Sequence, residues 1–237
     1  MRHVISTIIF DVDGTLAETE ELHRKAFNQA FKDKGLNWHW GIKLYGDLLK
    51  IAGGKERLKF YQANFLRPEI PLSDDDISVL HNEKTEIYSN FVKNGSLTLR
   101  PGIRSLIENS LKRNISLAIS TSTSHSNLLS LIESCFKKKP EDIFCCLSTG
   151  DLVKKKKPAS DLYDLVIDQM SINPTECLAV EDSRIGLLAA KSAKIKVLVS
   201  PSSYHLTDDF READYFCKSF KKEQLPVDIY KLLYNYQ

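Results

Sequence analysis

The chain has 237 residues, with 33 Lys and Arg against 31 Asp and Glu, 42% hydrophobic and 27% charged. This is the composition of a folded globular protein, which excludes a disordered, collagen-like or low-complexity chain. A net charge of +2 excludes a nucleic-acid module working through a strongly basic surface, and the length suits one large domain or a domain carrying a smaller insertion.

The predicted elements run in a regular order. Ile8-Ile9-Phe10 is a short apolar run that ends in Asp11. From Ala17 to about Gly95 the pattern is helical throughout: Leu22, Ala26, Phe27, Ala30 and Phe31 fall at helical spacing, and Ser73-Asp74-Asp75-Asp76 reads as a helix start before Ile77, Leu80, Ile87 and Phe91. Arg100-Pro101-Gly102 marks a return to alternation. Further apolar runs follow: Leu117 to Ile119 ending in Ser120-Thr121, Phe144 to Leu147 ending in Ser148, Leu178 to Val180 ending in Glu181-Asp182, and Val197 to Val199 ending in Ser200. Continuous apolar runs alternating with helices predict an α/β fold, a doubly wound parallel sheet with helices on both faces. The helical stretch interrupts it as an inserted α-helical domain over residues 17–96, leaving a discontinuous core of residues 1–16 and 97–237. In such sheets ligands bind beyond the carboxyl ends of the strands, where the polar residues of this sequence gather. No apolar run reaches about 18 residues, so no membrane partner is expected. Met1 to Phe10 lacks the apolar stretch and cleavage site of a signal peptide. Five cysteines, Cys135, Cys145, Cys146, Cys177 and Cys217, without a C-x-x-C pair, predict free packed thiols in a reducing, cytoplasmic setting.

Asp11-Val12-Asp13-Gly14-Thr15 is the strongest chemical signal. An aspartate can attack phosphorus, a second acid nearby can protonate a leaving oxygen and then activate water, and glycine lets the chain turn closely around an anion. A calcium loop counted from Asp11 fails, because Thr15, Leu16 and Leu22 occupy its fifth, sixth and twelfth positions. Later strand ends add hydroxyls (Thr121, Ser122), a lysine (from Lys154 to Lys157, before Pro158) and carboxylates suited to a divalent cation (Glu181, Asp182). Each alone has a bland reading as a helix cap, a solvated surface or a turn. Their succession at the edge of one sheet favours a phosphoryl-transfer site.

These four motifs resemble those of the haloacid dehalogenase-like superfamily, whose members have a Rossmann-like core, and the helical insertion resembles its cap. The resemblance implies Asp11 as nucleophile, Asp13 as general acid/base, Thr121 as phosphoryl binder and Lys157 as the cation beside Asp11. It also implies Mg²⁺ held by Asp11, the Asp13 backbone carbonyl and Asp182, with Glu181 nearby. The strings Ala17 to Arg24 and Tyr45 to Arg57 are similar to the CbbY-like branch, whose characterised members hydrolyse xylulose-1,5-bisphosphate. A bisphosphate needs a distal cationic anchor, and Lys55 and Arg57, after Gly53 and Gly54, are expected to supply it. This stretch is not a P-loop, since Leu49 and Glu56 stand where Gly and Ser/Thr are needed. Glu18 and His23 are expected near the sugar hydroxyls, His23 reading equally as structural; a Tyr at a helix start, such as Tyr45, is usually packing. The expected enzyme is a monomeric Mg²⁺-dependent phosphatase of a small phosphorylated sugar, without nucleic-acid partners. The alternatives are a sugar phosphomutase of the β-phosphoglucomutase type and a non-catalytic metabolite-binding protein of the same fold.

Overall fold

The computed structural model describes residues 5–66, 71–95 and 97–235; residues 1–4, at the start of the stretch read for a signal peptide, and residue 96, at the expected domain boundary, lie outside these. Strand β1 (Thr7–Phe10) is buried on both faces, the reason it reads as an unbroken apolar run. It lies inside a parallel sheet with β2 (Ser116–Ser120), β3 (Cys146–Ser148), β4 (Cys177–Glu181), β5 (Lys196–Val199) and β6 (Tyr215–Phe216), in the order β3-β2-β1-β4-β5-β6. The helices are α1 (Glu20–Asp33), α2 (Ile42–Leu48), α3 (Gly54–Tyr61), α4 (Asp74–Lys93), α5 (Ile103–Lys112), α6 (His125–Phe136), α7 (Asp161–Met170), α8 (Arg184–Ser192) and α9 (Val227–Tyr234).

Alternate strand residues point to opposite faces, so each strand supplies two cores. Ile8, Phe10, Leu117, Ile119, Leu178 and Val180 pack with Ile103, Leu106, Leu128, Leu131 and Ile229 of α5, α6 and α9. Ile9, Ala118, Ala179, Val197 and Val199 pack with Tyr163, Val166, Leu187 and Ala190 of α7 and α8. Each large aliphatic side chain buried this way contributes about 1.5–3 kcal/mol. This is the doubly wound sheet that the alternating runs predict.

A third core belongs to the helices between β1 and α5. Phe27, Phe31, Trp40, Tyr45, Leu48, Leu58, Tyr61, Ile77 and Leu80 gather there. Helix α4 begins where Ser73 implies. Ser73 Oγ accepts from Asp76 N at 3.1 Å and the Asp76 carboxylate accepts from Ser73 N at 3.0 Å, a reciprocal cap. The chain leaves and re-enters the sheet domain beside a bridge between Ala17 and Leu99.

Two elements differ from the pattern read in the sequence. Strand β3 begins at Cys146 rather than Phe144, because Phe144 fills the core beside Phe10 instead of pairing. Strand β6 is two residues long, with Phe216 exposed, too short to show any periodicity. All five cysteines are free, as expected, but Cys145 is exposed rather than packed.

The parallel register places the chemistry. Phe10 pairs with Ile119 on one side and Val180 on the other. The residues that follow, Asp11, Ser120 and Glu181, therefore emerge side by side at the carboxyl edge, where the strand order reverses around β1.

Candidate active site

The Asp11 N–H still donates to Val180 O at 3.0 Å, so the ladder continues one residue beyond β1 and aims the carboxylate over the sheet edge. The chain then turns tightly, with Leu16 N donating to Val12 O and Gly14 N to Ala17 O, both at 2.8 Å. Gly14 has φ +80°, and a Cβ there would collide with the Asp182 carboxylate. Glycine thus meets two demands at once, a left-handed backbone and the close approach of motif carboxylates.

Lys157 Nζ joins three acceptors: Asp11 Oδ1 at 2.7 Å, Glu181 Oε1 at 2.6 Å and Ser120 O at 2.7 Å. Tyr163 OH also donates to Glu181 Oε1, at 2.6 Å. Burial lowers the proton affinity of Lys157, but Asp11 and Glu181 outweigh it and hold the value at about 12, so the ammonium persists. Burial pushes Asp11 up to about 7 against the pull of Lys157, and burial likewise raises Asp182 to about 7 against His205. Asp11, Glu181 and Asp182 are buried, with ligand oxygens within 4.8 Å of one another. Three buried carboxylates with one ammonium are short of positive charge, and hard oxygen donors at this spacing fit a divalent cation such as Mg²⁺. Glu181 Oε1 is engaged by Lys157 and Tyr163 while its Oε2 lies against Gly186, where a Cβ would collide.

The Asp13 carboxylate lies outside that cluster. Its Oδ1 accepts from Thr19 Oγ1 at 2.7 Å and lies 3.1 Å from His23 Nε2. His23 Nδ1 is 2.8 Å from Lys84 Nζ, and its ring stacks on Tyr88. Lysine has only donors, so Nδ1 accepts and the Nε2 proton points at Asp13. Burial, with Lys84, lowers the His23 value, and Asp13 pulls the other way. Burial pushes the Asp13 carboxyl up, but His23 and the hydrogen bonds from His23 and Thr19 outweigh it and keep it an anion. Burial also pulls Lys84 down to about 7.

A cavity of about 490 Å³ runs from this edge to the cap. Asp11, Asp13, His23, Gly54, Lys55, Arg57, Thr121, Ser122, Lys157 and Asp182 all line it. Thr121 is buried, its Oγ1 accepting from Thr123 N at 3.2 Å, and Ser122 Oγ is buried without a partner among the described residues. Two expected residues sit differently. Glu18 is turned away: its Oε2 accepts from Ser203 Oγ at 2.8 Å and its Oε1 lies 3.3 Å from Arg100 Nε, while Glu20 faces the cavity instead. Arg57 is pinned to the cap, donating to Leu48 O, Tyr45 OH and Ile51 O. Tyr45 OH donates in turn to Glu20 Oε2 at 2.8 Å.

Sequence reasoning missed Thr19, Glu20, His81, Lys84 and Lys156. Lys84 had a signal: on α4 it stands in the apolar row Ile77, Leu80, Tyr88, where a solvated lysine would not be found.

A family model of haloacid dehalogenase-like hydrolases matches residues 8–200. The chain belongs to that family. Its sequence is 42% identical to protein CbbY of Rhodobacter capsulatus over 211 residues, covering 89% of this chain and 92% of the relative. It superposes with TM-score 0.86 on the crystal structure of CbbY from Rhodobacter sphaeroides in complex with phosphate, at 41% identity over 92% of this chain and 95% of that one. A mutant of the same protein in complex with xylulose-1,5-bisphosphate superposes with TM-score 0.87 at 40% identity, with the same coverage. The chain is therefore a CbbY-like member and a phosphoric monoester hydrolase. Among the described residues, no helix is long and apolar enough to cross a membrane.

Proposed function

We propose that this enzyme is a Mg²⁺-dependent phosphatase of a small sugar phosphate, a pentulose bisphosphate such as xylulose-1,5-bisphosphate, acting through an aspartyl-phosphate on Asp11. The observation that carries the reading is the pairing of two unlike carboxylates. Asp11 faces Lys157 at 2.7 Å and the acidic cluster, while Asp13 is held apart by Thr19 and His23. The CbbY complex with xylulose-1,5-bisphosphate supports the substrate class.

Asp11 and Asp182 would hold Mg²⁺, with the Asp13 carbonyl and Glu181 beside them. Bound there, the cation neutralises charge on the transferring phosphoryl oxygens. The Asp11 carboxylate oxygen attacks phosphorus as the bond to the sugar oxygen breaks, and Lys157 and Thr121 stabilise the equatorial oxygens. Asp13, having taken up a proton as the phosphate anion enters beside it, passes that proton to the leaving alkoxide. In the second half Asp13 removes a proton from water, the water oxygen bonds to phosphorus, and the bond to Asp11 breaks. Inorganic phosphate leaves, the Asp11 carboxylate is restored, and Asp13 releases the proton taken from water to solvent and returns to its carboxylate. The cap covers the site and limits bulk water during this sequence.

Phosphate release from a panel of sugar mono- and bisphosphates, with and without Mg²⁺, tests the reading. A pentulose bisphosphate is expected to be turned over fastest, and Asp11→Asn to be inactive. Retained turnover in Asp11→Asn refutes the nucleophile; an isomeric monophosphate as product in place of inorganic phosphate refutes the phosphatase in favour of a mutase.

A further inference from the structure

We propose that Glu56 on the cap is an internal stand-in for the substrate's second phosphate, and that Lys156 exchanges the Glu56 carboxylate for that phosphate when substrate binds. The exchange rests on the bisphosphate reading above and makes Lys156 and Glu56 determinants of its specificity.

Lys156 Nζ donates to both Glu56 oxygens, at 2.9 and 3.0 Å. Lys156 stands on the core loop immediately before Lys157, and Glu56 on the first turn of α3, so the ion pair spans core and cap at the cavity wall. The pair lies directly on Gly53: this residue has φ +92°, and a Cβ there would collide with both the Glu56 carboxylate and the Lys156 ammonium. The next residue, Gly54, makes room for His81 in the same way. Burial, and then Lys84, Lys55 and Lys156, push His81 down to about 2, so the ring stays neutral beside these lysines.

The acids lining the cavity fall into two sets. Asp11, Asp13 and Asp182 gather at the catalytic end. Of the others, Glu20 is held by Tyr45 OH, and Asp151 accepts from His125 N. Glu56 is thus the carboxylate that meets the cations at the cap end, among the described residues. Lys55, which also lines that end, has no ion-pair partner among them.

The two members of the pair are unequally anchored. The Glu56 side chain is 46% exposed and the Lys156 side chain 18%. Glu56 can therefore swing into water while Lys156 keeps its place facing the cavity. A half-exposed ion pair is weak, whereas a phosphate brings about −1.5 to −2 charge and three strong acceptors. A bisphosphate displaces Glu56 and gains Lys156 with Lys55. A monophosphate bound at Asp11 has nothing to exchange and leaves Glu56 in place.

Calorimetric titration of xylulose-1,5-bisphosphate and of xylulose-1-phosphate, which lacks the phosphate at the far end of the sugar, with Mg²⁺ present, tests this on the Asp11→Asn protein, where turnover cannot interfere. Glu56→Gln removes the competitor and is expected to tighten the bisphosphate about two- to five-fold, leaving the monophosphate unchanged. Lys156→Gln is expected to weaken the bisphosphate about tenfold or more and the monophosphate by less than about twofold. The double variant should bind like Lys156→Gln, because Glu56 then has nothing to compete for. Weaker bisphosphate binding in Glu56→Gln would show the ion pair to be scaffold only. Equal weakening of both ligands in Lys156→Gln would refute its specificity role. Tight bisphosphate binding that neither substitution alters sinks the exchange alone. Absence of bisphosphate binding in the Asp11→Asn protein itself sinks the bisphosphate reading and the exchange with it.

Discussion

Lys157 is the ion on which the catalytic edge depends, and Lys157→Met removes it at nearly constant volume. Its side chain is 3% exposed, and those of Asp11 and Glu181 are 10% and 0%. Loss of Nζ strands both carboxylates and the Ser120 carbonyl, leaving Tyr163 OH as the one side-chain donor still aimed at Glu181 among the described residues. Breaking a buried pair on one side costs about 3–5 kcal/mol. In a chain of this length that lowers Tm by roughly 6–20 °C. The pH dependence has a definite sign. Burial already raises Asp11 and Glu181 above their unfolded values, and removing the neighbouring cation raises them further. A carboxyl raised on folding favours the folded state at low pH, and that contribution is lost as pH rises through the folded value. The deficit of Lys157→Met should therefore be smallest near pH 5 and largest near pH 8. Urea unfolding in EDTA at pH 5, 6, 7 and 8 measures it. Adding Glu181→Gln, which removes one of the stranded charges, should recover part of the loss at pH 8. A deficit below about 1 kcal/mol, or one equal at pH 5 and 8, would refute the reasoning.

Three other outcomes are expected. Gly14→Ala meets a left-handed backbone and the Asp182 carboxylate, so it should lose about 1–2 kcal/mol from strain and weaken Mg²⁺ binding about tenfold or more. Gly35→Ala, with φ +67° and open space around it, should lose stability alone; calorimetry with Mg²⁺ titration compares the two. Metal-free protein should lose Tm as pH rises from 5 to 8, since Asp11 and Asp182 are raised to about 7 by burial, and the gain in Tm on adding Mg²⁺ should grow over the same interval. A Mg²⁺ increment independent of pH would argue against these carboxylates as its ligands. Thr19→Val removes the 2.7 Å hydrogen bond that lowers Asp13, so the basic limb of the kcat/KM profile, where the acid of the first step loses its proton, should move to higher pH, and an unmoved limb would mean that Asp13 does not set it.

The sheet and its catalytic edge were legible because their signals are local. Ile8 to Phe10, Leu117 to Ile119 and Leu178 to Val180 are apolar on both faces, and each ends in the residue types that phosphoryl transfer needs. A parallel register then has little freedom but to set Asp11, Ser120 and Glu181 side by side. The cap residues were less legible, because a helix with charged residues on several faces does not show which face meets a cavity. Glu18 and Glu20 stand two residues apart in one string, yet one meets Arg100 and Ser203 and the other faces the site. Arg57 carries the charge an anchor needs, but its guanidinium caps carbonyls of its own domain. Lys156 looks like one more solvated lysine in a run of four until the core loop is brought against α3.

By itself, then, the sequence determined the fold class, the helical stretch between the first two strands and the residue types at the strand ends, since these follow from periodicity and from chemistry confined to a few adjacent positions. Only the tertiary structure decided how the acid at position 13 is held, through Thr19, His23 and Lys84, and which cations stand at the far end of the cavity. Those contacts join residues as far apart as 61 positions in His23–Lys84 and 100 in Glu56–Lys156. Their partners are chosen by how the cap packs over the sheet, which no local pattern encodes.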